Sequence, residues 1–191
     1  MLSTGDLVFF YGDPNCEIDK LIMDVTNSPY SHIGIIVKNP RWNSELKGTF
    51  LLQSSSSKND AAEQKDKQSG VVLTPFSEYK GCKLDVRRLT IKQRDDAFWN
   101  KFSEIHARVH NHPYDVSWWN WLMAGLSHLG IHKVEPAPHT TTFWCSALCA
   151  YVYVEMGWLD STIDWSNMAP SDLVSVSIQN GTLSPISRLV F

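Results

Sequence analysis

From about Phe143 to Met156 the chain reads FWCSALCAYVYVEM, apolar around nearly the whole circumference of a helix. Such a helix has no face suited to water, so it belongs in the middle of a domain with other layers packed around it. Ala147, Leu148, Ala150, Tyr151, Val152 and Val154 fill it. Gly157 ends it, and Thr141 or Thr142 is expected to cap its start. The covering material is available: 43% of the 191 residues are hydrophobic, including eight Trp, eight Phe and six Tyr. That length suits a single domain over 1–191 with a sizeable core.

Short apolar runs at Leu7–Tyr11, His32–Lys38, Thr49–Gln53 and Val71–Leu73 read as strands. Lys83–Leu89 alternates, with Leu84, Val86 and Arg88 on one side. Glu17–Thr26 has helical spacing at Ile18, Leu21, Ile22 and Val25. Thr90–His110 predicts an amphipathic helix, with Phe98, Phe102, Ile105 and Val109 on its buried face. Ser117–Leu129 predicts another helical stretch, and Lys133–His139 a proline-bearing loop. Ser54–Ser69 is polar, serine-rich and charged, and is expected to be a mobile surface loop. The tail from Asp160 is irregular and closes on a strand at Ile186–Phe191. Strands and helices are partly segregated, so the expected class is α+β, a core helix on a small, mainly antiparallel sheet or barrel.

A net charge of −3 offers no basic field for nucleic acid. No apolar run reaches the length of a membrane span. No basic segment leads into an apolar stretch at the N-terminus, so a cytoplasmic or intracellular protein is expected. Cys16, Cys82, Cys145 and Cys149 are too few and scattered for a disulfide framework, and free thiols are expected.

Two of these residues suggest chemistry. Cys145 falls in the first turn of the apolar helix, where unpaired N–H groups and the helix dipole favour a thiolate. The bland reading is a small buried hydrophobe, which is the reading preferred for Cys149 one turn on. His32 opens a buried strand just before Gly34, a good place for a rigid base. An imidazole beside a helix-terminal thiol is what a cysteine nucleophile needs.

Rival patterns are weaker. His106 and His110, and His128 and His132, stand four apart, and His112 lies just beyond the first pair; such spacing can bind zinc. No Glu stands between them in the metalloprotease pattern, and solvated helix faces are the better reading, so no metal and no cofactor is expected. Trp118, Trp119 and Trp121 could meet a membrane surface or a lipid, or pack the core and roof a groove. Neither a phosphate loop nor a carboxylate pair stands out.

Gly5-Asp6-Leu7-Val8-Phe9, Ser31-His32-Ile33-Gly34-Ile35, Tyr114-Asp115 and Trp144-Cys145-Ser146-Ala147-Leu148 occur in a recognisable order. From Gly5 to about Leu173 the chain resembles the circularly permuted branch of the NlpC-type papain-like cysteine peptidases, the YiiX/YaeF-like group with its poxvirus relatives. In that branch the histidine strand precedes the cysteine helix, the reverse of papain. The resemblance implies Cys145 as nucleophile, His32 as general base, and a third polar residue on the next strand. Relatives commonly have Glu there, and this chain has Gln53, which can orient the ring but adds no charge. Tyr30 and Tyr114 are candidate substrate contacts, with core packing as their alternative. The implied activity is a thiol hydrolase, a peptidase or amidase cleaving an amide or ester of a peptide, a cell-wall peptide or a lipid-linked acyl group. The alternatives are an acyltransferase, or a non-catalytic ligand- or lipid-binding domain that retains the fold. The poxvirus relatives add a virion to the places where such a protein would work. Substrate identity and oligomeric state stay open.

Overall fold

The computed structural model describes residues 1–55, 70–110 and 144–190. The order of elements begins β1 (Leu7–Tyr11), α1 (Glu17–Thr26), β2 (Tyr30–Lys38), β3 (Thr49–Ser55) and β4 (Gly70–Pro75). A 3-10 turn at Phe76–Tyr79 leads to β5 (Leu84–Arg87), β6 (Leu89–Thr90) and α2 (Asp96–Val109). Then come α3 (Cys145–Glu155), a 3-10 turn at Trp165–Asn167, α4 (Pro170–Ser175), β7 (Thr182–Leu183) and β8 (Ser187–Leu189). Six strands form one sheet in the order β4-β3-β2-β1-β5-β8, with each neighbouring pair antiparallel. β6 and β7 pair separately. The fold is α+β with a mainly antiparallel sheet, as the sequence led us to expect.

The strands are apolar on both faces because both faces are covered. On one face Leu7, Phe9, Ile33, Ile35, Val37, Leu52 and Leu73 meet Phe102 and Ile105 of α2 and Leu148, Cys149, Val152 and Tyr153 of α3. On the other, Val8, Ile36, Leu51, Leu84 and Val86 form a smaller cluster with Phe76, and Leu189 packs against it. Phe76 follows one edge strand and Leu189 belongs to the other, so the sheet curls around this second cluster. Gly34 sits where a Cβ would come within 2.7 Å of the Leu51 side chain, which explains a glycine in mid-strand.

Two irregularities lie near the start of β2. The β1–β2 register steps from Phe10↔His32 to Tyr11↔Tyr30, leaving Ser31 as an extra residue. This bulge turns Tyr30 onto the Ile33 face of the sheet instead of the His32 face. The β2–β3 pairing ends at Ile35↔Leu52, whereas β3 stays paired with β4 as far as Ser55↔Gly70. Beyond Ile35 the two strands part.

α3 starts later than expected. Its N-cap is Trp144, which supplies no side-chain hydrogen bond; Thr141 and Thr142 lie outside the described residues. Its end follows the sequence closely. Gly157 takes the left-handed conformation (φ 76°), its N–H bonds to Val154 O, and Trp158 N–H bonds to Tyr153 O. The Tyr153 and Trp158 rings pack edge to face across this turn at 4.9 Å, completing a Schellman cap.

Four further expectations need correction. α2 begins at Asp96, because Asp95 caps it by accepting from Phe98 N–H and Leu89–Thr90 pair with Thr182–Leu183 instead. The alternating 83–89 segment divides into β5 and β6, and its polar residues Asp85 and Arg87 are buried. Ser54 and Ser55 belong to β3 rather than to a loop; the remainder of that loop, 56–69, lies outside the described residues. The tail holds α4 and two short strands, with the last at Ser187–Leu189. The expectations for 117–129, 133–139, His112, His128 and His132 lie outside the described residues. Among those described, no helix is long and apolar enough to cross a membrane.

Leu148 is 0% exposed in the middle of α3, whereas Ile18 on α1 is 48% exposed. Leu148→Ala should therefore cost about 2–5 kcal/mol of folding stability, and Ile18→Ala about 0.5 kcal/mol or less. Urea denaturation of the two variants checks this.

Candidate active site

The thiol of Cys145 is placed by the parting of β2 and β3. Ile36 N–H bonds to Asp6 O beside β1, so even-numbered residues of β2 turn their backbone groups toward β1. Odd-numbered residues turn theirs toward β3. Once β3 has diverged, the N–H of Ile33 has no strand partner there, and it donates to the sulfur of Cys145. The Ser146 N–H in the first turn of α3 donates to the same sulfur. Cys145 is 7% exposed.

His32 reaches this sulfur from the other face of the sheet, between Phe10, whose ring meets it edge to face at 5.2 Å, and Gln53. Its Nε2 lies 2.7 Å from Gln53 Oε1. A carbonyl oxygen can only accept, so Nε2 carries a proton in either charge state of the ring. Nδ1 is then the nitrogen left for the thiol, with which the ring hydrogen-bonds. Gln53 is 1% exposed, and its Nε2 donates to Thr74 Oγ1 at 3.0 Å and to Tyr79 Oη. Every polar atom of the amide is satisfied.

The electrostatics favour charge separation. Burial alone would raise the Cys145 thiol pKa, but the His32 charge, its hydrogen bond and the N–H groups of Ile33 and Ser146 bring it below the usual range. Burial alone would depress His32, but Cys145, Gln53 and the more distant Asp19 carboxylate raise it above 6.5. The first turn of α3 carries neither an acidic side chain nor a side-chain cap, so no side chain of that turn competes with the sulfur for its N–H groups. Cys149 is fully buried and its thiol is pushed well up, as the sequence reading of a plain hydrophobe implies.

Of the residues singled out from sequence, the fold gathers Cys145, His32 and Gln53. Tyr30 goes elsewhere. Its ring packs on Phe9 and Tyr11, and its hydroxyl donates to Asp85 Oδ2 at 2.6 Å, so the packing alternative describes its geometry. Tyr114, Trp118, Trp119 and Trp121 lie outside the described residues. His106 is not on a solvated helix face. It is buried, with Trp42 stacked on it at 4.2 Å and His110 at 5.0 Å.

Sequence reasoning missed Thr74, Tyr79 and Asp19. A threonine in an apolar strand is a weak signal, and only the β3–β4 register brings Thr74 to the amide. It also missed a polar cluster in which Asp85 accepts from Tyr11, Tyr30 and Arg188.

The charge of residue 53 should set the titration of His32. Gln53→Glu places a carboxylate against the imidazolium and should move the His32 pKa further up; Gln53→Leu leaves Nε2 without its acceptor and should move it down. A pH titration of the histidine signals by NMR reads both directions.

Compared with solved structures, the chain is similar to a crystal structure of the metalloprotein YiiX from Escherichia coli O157:H7. The identity is 17% and the TM-score 0.53, over 99% of this chain and 97% of that one. The term metalloprotein describes that neighbour; among the described residues of this chain, no three His, Cys, Asp or Glu side chains gather where a metal ion could sit. No family model matches the sequence, and no curated protein matches it. At this identity the likeness concerns architecture, and this chain has a YiiX-like α+β fold.

Proposed function

We propose that the protein is a cysteine hydrolase of the permuted papain-like type, acting on an amide or ester carbonyl. One observation carries the proposal: the Cys145 sulfur meets the His32 imidazole, whose far nitrogen is held by Gln53 Oε1. The chain order His32, Gln53, Cys145 fits the permuted arrangement, and the YiiX-like fold supports it.

In this reading His32 Nδ1 takes the thiol proton, and the thiolate forms a bond to the carbonyl carbon. The carbonyl π electrons move to oxygen, and the N–H groups in the first turn of α3 stabilise that oxyanion. The imidazolium then returns its proton to the leaving nitrogen or oxygen as the C–N or C–O bond breaks, leaving a thioester on Cys145. Water, deprotonated by His32, attacks the thioester; the C–S bond breaks, and the proton returns to the sulfur as the acid is released. An amine or alcohol taking the place of that water would make the same site an acyltransferase. Gln53 holds the ring through each of these proton transfers. A binding domain that retained the fold is the second reading, and the amide at Gln53 in place of a carboxylate is what favours it.

Thiol alkylation decides between the two. Iodoacetamide at mildly acidic pH should label Cys145 ahead of the exposed Cys16 and Cys82, and leave Cys149 untouched. His32→Ala should remove that preference, and Cys145→Ala should abolish any burst of p-nitrophenolate from an activated ester. If Cys145 in the unaltered protein reacts no faster than Cys16 and Cys82, the hydrolase reading is wrong.

A further inference from the structure

The Gln53 amide can present two chemically opposite ends to His32. With Oε1 forward, it accepts from Nε2–H and leaves the Nδ1 lone pair free. With its N–H forward, it donates to Nε2, which selects the Nδ1–H tautomer and removes the lone pair that would take the thiol proton. The two orientations have nearly the same shape, so packing does not separate them. A carboxylate in this position has no such ambiguity.

The partners of the amide do separate them. Gln53 Nε2 donates to Thr74 Oγ1 at 3.0 Å and to Tyr79 Oη. Each hydroxyl has one proton. With the amide N–H groups directed at them, both hydroxyl oxygens accept and both keep that proton for another partner. In the reversed orientation Oε1 must accept both hydroxyl protons, and neither hydroxyl has a proton left to give. That uses up two donors in a buried site, where an unmade hydrogen bond is most costly. When His32 is protonated, reversal also sets N–H against N–H.

We propose that Thr74 and Tyr79 are positioning residues: their two hydroxyls hold Gln53 with its carbonyl oxygen toward His32, which keeps Nδ1 facing the Cys145 thiol. The inference rests on the hydrolase reading above. It assigns to β4 and the turn after it the task of setting the tautomer of a histidine on β2. The Phe10 ring contacts both the His32 ring at 5.2 Å and the Tyr79 ring at 4.9 Å. Tyr79→Phe therefore keeps this packing and deletes only the hydroxyl.

The test uses two readouts. In a Cys145→Ala background, 15N shifts of the neutral His32 ring should report the Nε2–H tautomer. Adding Tyr79→Phe and Thr74→Val should convert this to a mixture of tautomers. With Cys145 intact, the same pair of changes should slow its iodoacetamide labelling at neutral pH about fivefold, the effect of one hydrogen bond, and should narrow the pH range of reactivity from both sides. Thr74→Ser, which retains a hydroxyl, should label at the unaltered rate. Should the double variant fail to fold, Tyr79→Phe alone carries the test. A reactive Cys145 whose rate and His32 tautomer ignore both substitutions overturns the positioning proposal and leaves the hydrolase reading standing. A Cys145 unreactive in the unaltered protein overturns both.

Discussion

A backbone N–H on a buried strand must find an acceptor, because leaving it unpaired costs as much as a lost hydrogen bond. At Ile33, which is fully buried, the neighbouring strand has already moved away, and the acceptor is the sulfur of Cys145. This contact joins three features that the chain specifies separately: where β2 and β3 part, where α3 begins, and how the thiol ionises. Were the strands to stay paired past Ile35, Ile33 would bond to β3 and the sulfur would lose a donor. Were α3 to begin a turn earlier under a polar cap, a side-chain oxygen would compete for the N–H groups that now face the thiol.

Around this point the core is tied down by buried polar groups that take no part in the proposed chemistry. Tyr153 on α3 donates its hydroxyl to Gly5 O, fixing the helix to the entry of β1. Asp6 accepts from Ser3 and Leu89 N–H groups, and burial still raises its pKa. The Arg87 guanidinium donates to Ser184, Leu173 and Val176 carbonyls, which holds the end of α4 against β5. Because these groups are buried and satisfied, each element has one comfortable placement. The sulfur, imidazole and amide can then be held to hydrogen-bond accuracy by elements far apart in sequence.

Much of this was legible in the chain. The apolar runs marked β1 to β4 because their residues are covered on both faces. The all-round apolar pattern of α3 marked it as the central helix. Gly157 announced the end of α3 because only a residue without a side chain takes that backbone conformation cheaply. Cys145, His32 and Gln53 could be named because thiol, imidazole and amide are distinctive chemical groups at recognisable places in such elements. The failures share one cause. Trp144 as a cap, the two halves of 83–89, the late start of α2 and the burial of His106 all depend on contacts from distant segments, which local propensity does not contain.

Local pattern by itself determined that this chain would form an α+β core around an apolar helix with a thiol at its first turn, because periodicity and side-chain chemistry are properties of neighbouring residues. Whether that thiol would meet the imidazole, which end of the Gln53 amide would face the ring, and that Tyr30 would turn away to Asp85 were decided only by the tertiary structure. Those outcomes depend on a one-residue bulge at Ser31, the last paired residue of β2 with β3, and a hydroxyl pair on β4 and its following turn. Each sets direction and distance between segments that the chain itself keeps far apart.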